Sequence, residues 1–129
     1  PTSTYFTVKT GTMANASGKN YIAMLFSSVA GISSVGSYNG QNSDLTITTG
    51  FSPRFLIIKR VNSSGDWIVV DTVRGFGSGN DPFFRLNTDQ NDSNNANVGT
   101  PISTGFTLTG GTYGTINESG GTYLYYAHA

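Results

Sequence analysis

The stretch Phe55-Leu56-Ile57-Ile58-Lys59-Arg60-Val61, Asn62-Ser63-Ser64-Gly65, Asp66-Trp67-Ile68-Val69-Val70-Asp71-Thr72-Val73 decides the fold. Two runs rich in β-branched and aromatic residues flank four turn-formers that include a glycine, which is a strong hairpin signal. Working outward, the same signature recurs between turns. Tyr5–Lys9 puts Phe6 and Val8 on one face. Tyr21–Phe26 is apolar on both faces and reads as a central buried strand. Ile32–Tyr38 alternates weakly, and Leu45–Thr49 turns Leu45 and Ile47 inward with Thr46 and Thr48 outward. Phe83–Asn87, Phe106–Thr109 and Tyr123–His128 bring the total to about nine short strands. Pro53, Pro82 and Pro101 stand at the edges of these runs, where a missing N–H costs little. The expectation is an all-β protein, an antiparallel β-sandwich of jelly-roll or lectin-like type, with residues 1–129 forming one domain.

Composition agrees. Seventeen Thr, 15 Ser, 17 Gly and 12 Asn stand beside one Glu, three Lys and two Gln, a mixture that disfavours helix. Eight Phe, seven Tyr and one Trp supply a core, and 129 residues bury roughly two thirds of the unfolded surface. Charged residues are 11%, under half the usual share of about 25%, and the net charge is zero. Such a balance provides no electrostatic footprint for nucleic acid or anionic lipid. No apolar run approaches the ~18 residues of a membrane span. The first fifteen residues lack the charged-then-apolar order of a signal peptide. With no Cys, disulfides, thiol catalysis and thiolate metal sites are all absent.

Residues 75–104 are the least patterned. Gly77-Ser78-Gly79-Asn80 and Asp89-Gln90-Asn91-Asp92-Ser93-Asn94-Asn95 predict a long polar surface excursion carrying one short strand. An internal similarity links Asn15-Ala16-Ser17-Gly18-Lys19-Asn20-Tyr21-Ile22 to Asn117-Glu118-Ser119-Gly120-Gly121-Thr122-Tyr123-Leu124, 102 residues on. Both read as an Asn-x-Ser-Gly turn delivering a Tyr into an apolar strand. The expectation is that the two strands are neighbours at one end of a sheet.

Chemistry-bearing residues are few. The one imidazole, His128, lies one residue from the end, a fraying position unsuited to a Ser-His-acid relay. Asp66 and Asp71 point to opposite strand faces about 17 Å apart, too far and misdirected for a glycosidase pair. Asp71 is expected to pair with Arg74 or cap its strand. Asp89–Asn95 resembles a loose oxygen-ligand loop, but Asn94 and Thr100 stand where an EF-hand needs Gly and Glu. Gly75-Phe76-Gly77-Ser78-Gly79 is a weak phosphate cradle with no basic residue after it. Four Asn-x-Ser sequons, at Asn15, Asn62, Asn91 and Asn117, match chance in this composition. Catalytic, cofactor and metal residues are therefore expected to be none. Tyr38, Trp67, Tyr113 and Tyr125 are the candidate ligand contacts, since Tyr and Trp beside Asn and Thr suit sugar stacking or protein interfaces.

Some longer blocks carry a resemblance. They are Val35-Gly36-Ser37-Tyr38-Asn39-Gly40, Thr49-Gly50-Phe51-Ser52-Pro53-Arg54-Phe55-Leu56-Ile57-Ile58-Lys59-Arg60 and Gly65-Asp66-Trp67-Ile68-Val69-Val70-Asp71-Thr72-Val73-Arg74. With Ser103-Thr104-Gly105-Phe106-Thr107-Leu108 and Ser119-Gly120-Gly121-Thr122-Tyr123-Leu124-Tyr125, they resemble an uncharacterised module of tailed-phage virion proteins. That module is found at the C-terminus of tail-fibre and other surface proteins, chiefly of marine and environmental phages. The resemblance spans about residues 14–129 and departs at 75–104 and at the closing Tyr126-Ala127-His128-Ala129. It implies a virion-surface structural protein, as capsid decoration or head- or tail-fibre module, with no catalytic residues. Implied partners are copies of itself, other virion proteins and host cell-surface glycans, not nucleic acid or membrane. In this reading Gly50 and Phe51 turn and anchor a strand, and Trp67 fills the space under the hairpin. A carbohydrate-binding, lectin-like receptor module is the alternative, and a polysaccharide depolymerase a third reading that the shortage of His and paired acids disfavours.

Overall fold

A computed structural model describes residues 4–91, 93–111 and 114–129. Nine strands occur among them: β1 (Ser33–Asn39), β2 (Leu45–Thr48), β3 (Phe55–Arg60), β4 (Trp67–Asp71), β5 (Asp81–Arg85), β6 (Ser93–Ala96), β7 (Gly99–Ile102), β8 (Gly105–Leu108) and β9 (Thr122–His128). One short helical turn, α1 (Gly114–Asn117), precedes β9. The strands form two antiparallel sheets, ordered β1-β9-β3-β4-β5-β6 and β2-β8-β7. Their inner faces share one apolar core, so the architecture is a β-sandwich.

The deciding hairpin forms in the expected register, Phe55 opposite Asp71 through Lys59 opposite Trp67. Before it, Gly50 turns the chain at φ 86°, where a side chain would be strained, and Phe51 is buried. The last strand, β9, then inserts between β1 and β3. On the inner face, Gly36, Tyr125, Ile58 and Ile68 form one row across four strands. Gly36 has to be glycine here, because a Cβ would fall 2.6 Å from the Tyr125 ring. From the facing sheet Phe106 meets Tyr125 edge-on at 5.6 Å, with Ile47 and Leu108 beside it. Each fully buried aliphatic side chain in this layer stabilises by about 1.5–3 kcal/mol.

Four expectations are corrected. Tyr5–Lys9 and Tyr21–Phe26 are not strands, and Tyr21–Phe26 is exposed, with Ile22 at 96%. Its apolar pattern is real, but it pairs with no sheet edge, and both edges of β9, its expected neighbour, are taken by β1 and β3. The two halves of the internal similarity are therefore not strand neighbours. Residues 75–104 hold three strands, β5, β6 and β7, rather than one, and bury Phe76, Phe83 and Val98. Trp67 is 43% exposed on the outer face and fills no space beneath the hairpin.

The organiser of 75–104 is Asp81, which is fully buried. Its Oδ1 accepts the N–H groups of Gly77 (2.8 Å) and Ser78 (3.1 Å), and its Oδ2 accepts that of Gly99 (3.0 Å). The glycine-rich turn does cradle an anion, but the anion is the chain's own carboxylate. That position is closed to a phosphate.

Candidate functional site

The two sheets differ on their outer faces. On the small sheet Thr46, Thr48, Thr100 and Thr107 point out, and Thr46 and Thr107 share a hydroxyl contact at 3.2 Å. That is the usual polar exterior of an antiparallel sheet. The large sheet is different. Val35, Tyr126, Ile57, Val69 and Phe84 line up in one apolar row across β1, β9, β3, β4 and β5. The adjoining row is Ser37, Leu124, Lys59 and Trp67. Here β3 and β4 carry apolar residues on both faces, as strands do when both faces are covered.

A groove of about 190 Å³ runs along this face between Val35, Ile57, Trp67 and Leu124, with Met24 and Phe26 forming one wall. Phe26 lies on Tyr126 with ring centroids 4.5 Å apart, and Tyr126 meets Phe55 edge-on at 6.4 Å. One cation borders it: Lys59 reaches 6.0 Å from the Trp67 ring and donates to the Gly65 carbonyl at 2.6 Å. The groove offers apolar area and aromatic faces, with little charge beside them.

The predicted contact residues separate. Trp67 belongs to the groove. Tyr125 is buried on the inner face, its hydroxyl 3.3 Å from that of Ser34. Tyr38, half-buried, stacks on Tyr123 at 5.0 Å and donates to the Ile116 carbonyl at 2.5 Å. Burial, and secondarily the neighbouring Tyr123, pushes the Tyr38 phenol well above its ordinary pKa. Tyr113 lies outside the described residues, as does Asp92 of the polar loop.

The remaining polar candidates are committed to structure. Asp71 accepts the Arg74 N–H at 2.9 Å and pairs with its guanidinium at 3.3 Å, the expected strand-end arrangement. Asp66 pairs with Arg85 at 2.9 Å and accepts from Asn87. His128 does not fray: it is held between Ser33 of β1 and Phe55 of β3, and its carbonyl accepts the Arg54 N–H. Its Nδ1 lies 2.9 Å from the Tyr126 hydroxyl, and the shallow recess beside it contains one acid, Asp71. Among the described residues no three His, Asp or Glu side chains gather to hold a metal ion.

Sequence reasoning passed over Asn117, reading it only as part of a turn and a sequon. Its side chain is buried, accepts the Gln41 N–H at 3.0 Å and donates to the Ser43 carbonyl at 2.8 Å. It thereby fastens the β1–β2 crossover to the turn before β9. A hint lay in the internal similarity, because the two turns are alike in detail. Gly18 and Gly120 have φ of 72° and 79°. The Tyr21 hydroxyl accepts the Ala16 N–H at 2.9 Å, and the Tyr123 hydroxyl accepts the Glu118 N–H at 3.0 Å. Lys19 and Gly121 donate to the carbonyls of Ala16 and Glu118.

Fold and surface define an all-β sandwich with one polar and one apolar exterior. Residues 1–129 match the family described as Domain of unknown function (DUF7483), and the chain belongs to that family. No curated protein and no solved structure matches it.

Proposed function

We propose that this chain is a structural protein of the phage virion surface, a capsid decoration or fibre module that works by association rather than by reaction. The observation that carries the reading is the apolar groove on the outward face of the large sheet, rimmed by the exposed Val35, Leu124 and Trp67. Ile57 and Val69 at the centre of that face are buried, and the part left open is the Val35, Leu124 and Trp67 side chains around the groove, each more than two-fifths exposed. Exposed apolar surface beside such a groove suits an interaction site. Zero net charge and few ionic residues suit packing on like copies, which meet without repulsion. The resemblance of the Gly-Phe-x-Pro, Ile-Lys-Arg and Gly-Asp-Trp blocks to tailed-phage virion modules supports the location. Peptide mass spectrometry and immunolabelling of purified virions test it. The protein is expected in stoichiometric amounts on particles, and its absence from them overturns the proposal.

Trp67 favours a second reading, a carbohydrate-binding module for host glycans. Its partly open ring beside Lys59 is a sugar-stacking platform. Binding on a glycan array that is abolished by Trp67→Ala supports this reading; no binding across diverse surface polysaccharides removes it.

A further inference from the structure

We infer that Tyr21–Phe26 of one copy packs on the apolar outer face of the large sheet of a second copy, in a two-fold exchange. The inference deepens the association reading above and rests on it. Three observations converge. First, the Asn15–Tyr21 turn repeats the turn that launches β9, down to the tyrosine hydroxyl accepting the N–H five residues back. The second copy of that turn delivers its strand into a sheet, whereas the first delivers Tyr21–Phe26 to no strand of its own chain.

Second, the delivered segment is apolar on both faces and uncovered: Ile22, Met24 and Leu25 are 96%, 72% and 74% exposed. In its own copy the segment meets the sheet face through Met24 and Phe26, the latter on Tyr126, and leaves Ile22 and Leu25 uncovered. Third, the areas match. At roughly 200 Å² for a large side chain, the segment leaves roughly 600 Å² of apolar surface open. Val35, Trp67 and Leu124, each more than two-fifths exposed, add roughly 250 Å² on the same scale. Together they reach the ~800 Å² per partner of a standard interface and exceed the largest patch of a typical monomer.

The occupant is a second copy because segment and groove lie on one molecule and face the same side. A two-fold axis between them makes each copy give a segment and receive one, closing the assembly. The free edge of β1 adjoins this face, and Ser28 already occupies it by accepting the Val35 N–H at 2.9 Å. The chain thus enters the interface alongside the sheet edge.

The absence of cysteine makes the test clean. Copies carrying only Leu25→Cys are mixed with copies carrying only Leu124→Cys and oxidised mildly. A disulfide-linked mixed dimer is expected. A double variant that closes only within one chain overturns the inference, as does failure of the mixed pair to cross-link. In sedimentation equilibrium the unaltered protein is expected to associate, with Leu25→Asp and Leu124→Asp each weakening association at least tenfold while leaving the β-sheet circular dichroism unchanged. A monomer at about 100 μM, weaker than that interface area sustains, overturns it. A monomeric protein still recovered on purified virions discards this interface and leaves the structural role standing. Absence from virions beside a cross-linked dimer does the reverse.

Discussion

Two segments of this chain receive the same local instruction and meet different fates. Asn117–Tyr123 and Asn15–Tyr21 fold into like turns, each with a left-handed glycine and a tyrosine hydroxyl closing on a backbone N–H. Tyr123 is then wholly buried beneath the facing sheet, while Tyr21 remains about half exposed. One small difference accompanies this. Gly121 leaves room for the Tyr123 ring, which a Cβ would approach to 2.5 Å, and Lys19 stands at the matching place in the first turn. Local sequence sets the turn, but whether the following strand is stabilised depends on which edge and face are free to receive it.

The largest test of that difference is removal of each tyrosine. Tyr123→Ala deletes a ring packed on Tyr38 and costs about 3–5 kcal/mol, so Tm is expected to fall by roughly 15 °C. Tyr21→Ala removes a half-exposed ring and an exposed hydrogen bond to the Ala16 N–H, and is expected to stay within about 1 kcal/mol by thermal melting of dilute protein. Equal losses would erase the contrast. Next comes the asparagine that opens each turn. Asn117→Ala removes two part-buried hydrogen bonds, from the Gln41 N–H and to the Ser43 carbonyl, made by a buried side chain, and is expected to cost about 2 kcal/mol, read as a lower urea midpoint. Asn15→Ala is expected to leave the midpoint unchanged.

Alkaline pH separates the two regions by a different route. The Tyr38 phenol, stacked on Tyr123, is raised by burial, so the folded protein keeps that proton after the unfolded chain has lost it. Below the ordinary phenol pKa of about 10 both states hold the proton and nothing changes. Above it the unfolded state binds fewer protons, and stability falls by about 1.4 kcal/mol per pH unit until the folded phenol itself ionises. Denaturation midpoints measured between pH 9 and 11 are expected to show this decline and Tyr38→Phe to flatten it. A decline that survives Tyr38→Phe assigns it elsewhere.

How much of this was legible follows the same division. The β3–β4 hairpin, the inward Leu45 and Ile47 of β2, the alternation of β9 and the Asp71–Arg74 pairing could be read directly. Each depends on neighbours a few residues apart or on a simple period. What was missed depends on contacts between distant segments. Asp81 looks like a polar loop residue until Gly77, Ser78 and Gly99 close on it, and its burial is what makes 75–104 a folded part of the sheet. Asn117 gives no sign of its burial because its partners lie about 75 positions away. The groove was half legible: Trp67 was singled out, but the row crossing five strands exists only once the register is known. The pattern of Tyr21–Phe26 predicts burial, and in the single chain the segment is exposed.

The smallest expected effect is the sharpest on this point. Gly18 and Gly120 have open space around the missing Cβ, so alanine at either meets no atom and only the left-handed backbone is strained, at about 1 kcal/mol. At Gly120 the turn is part of the cooperative sheet, and Gly120→Ala is expected to lower global stability by that amount. At Gly18 the same strain falls in a segment that pairs with no strand, so chemical denaturation of dilute protein is expected to register almost none of it. It is expected to reappear as weaker association at high concentration, where a second copy would couple the segment to the fold. If Gly18→Ala destabilises the dilute protein as much as Gly120→Ala does, the N-terminal turn belongs to the core of its own chain, and the two regions are equivalent after all.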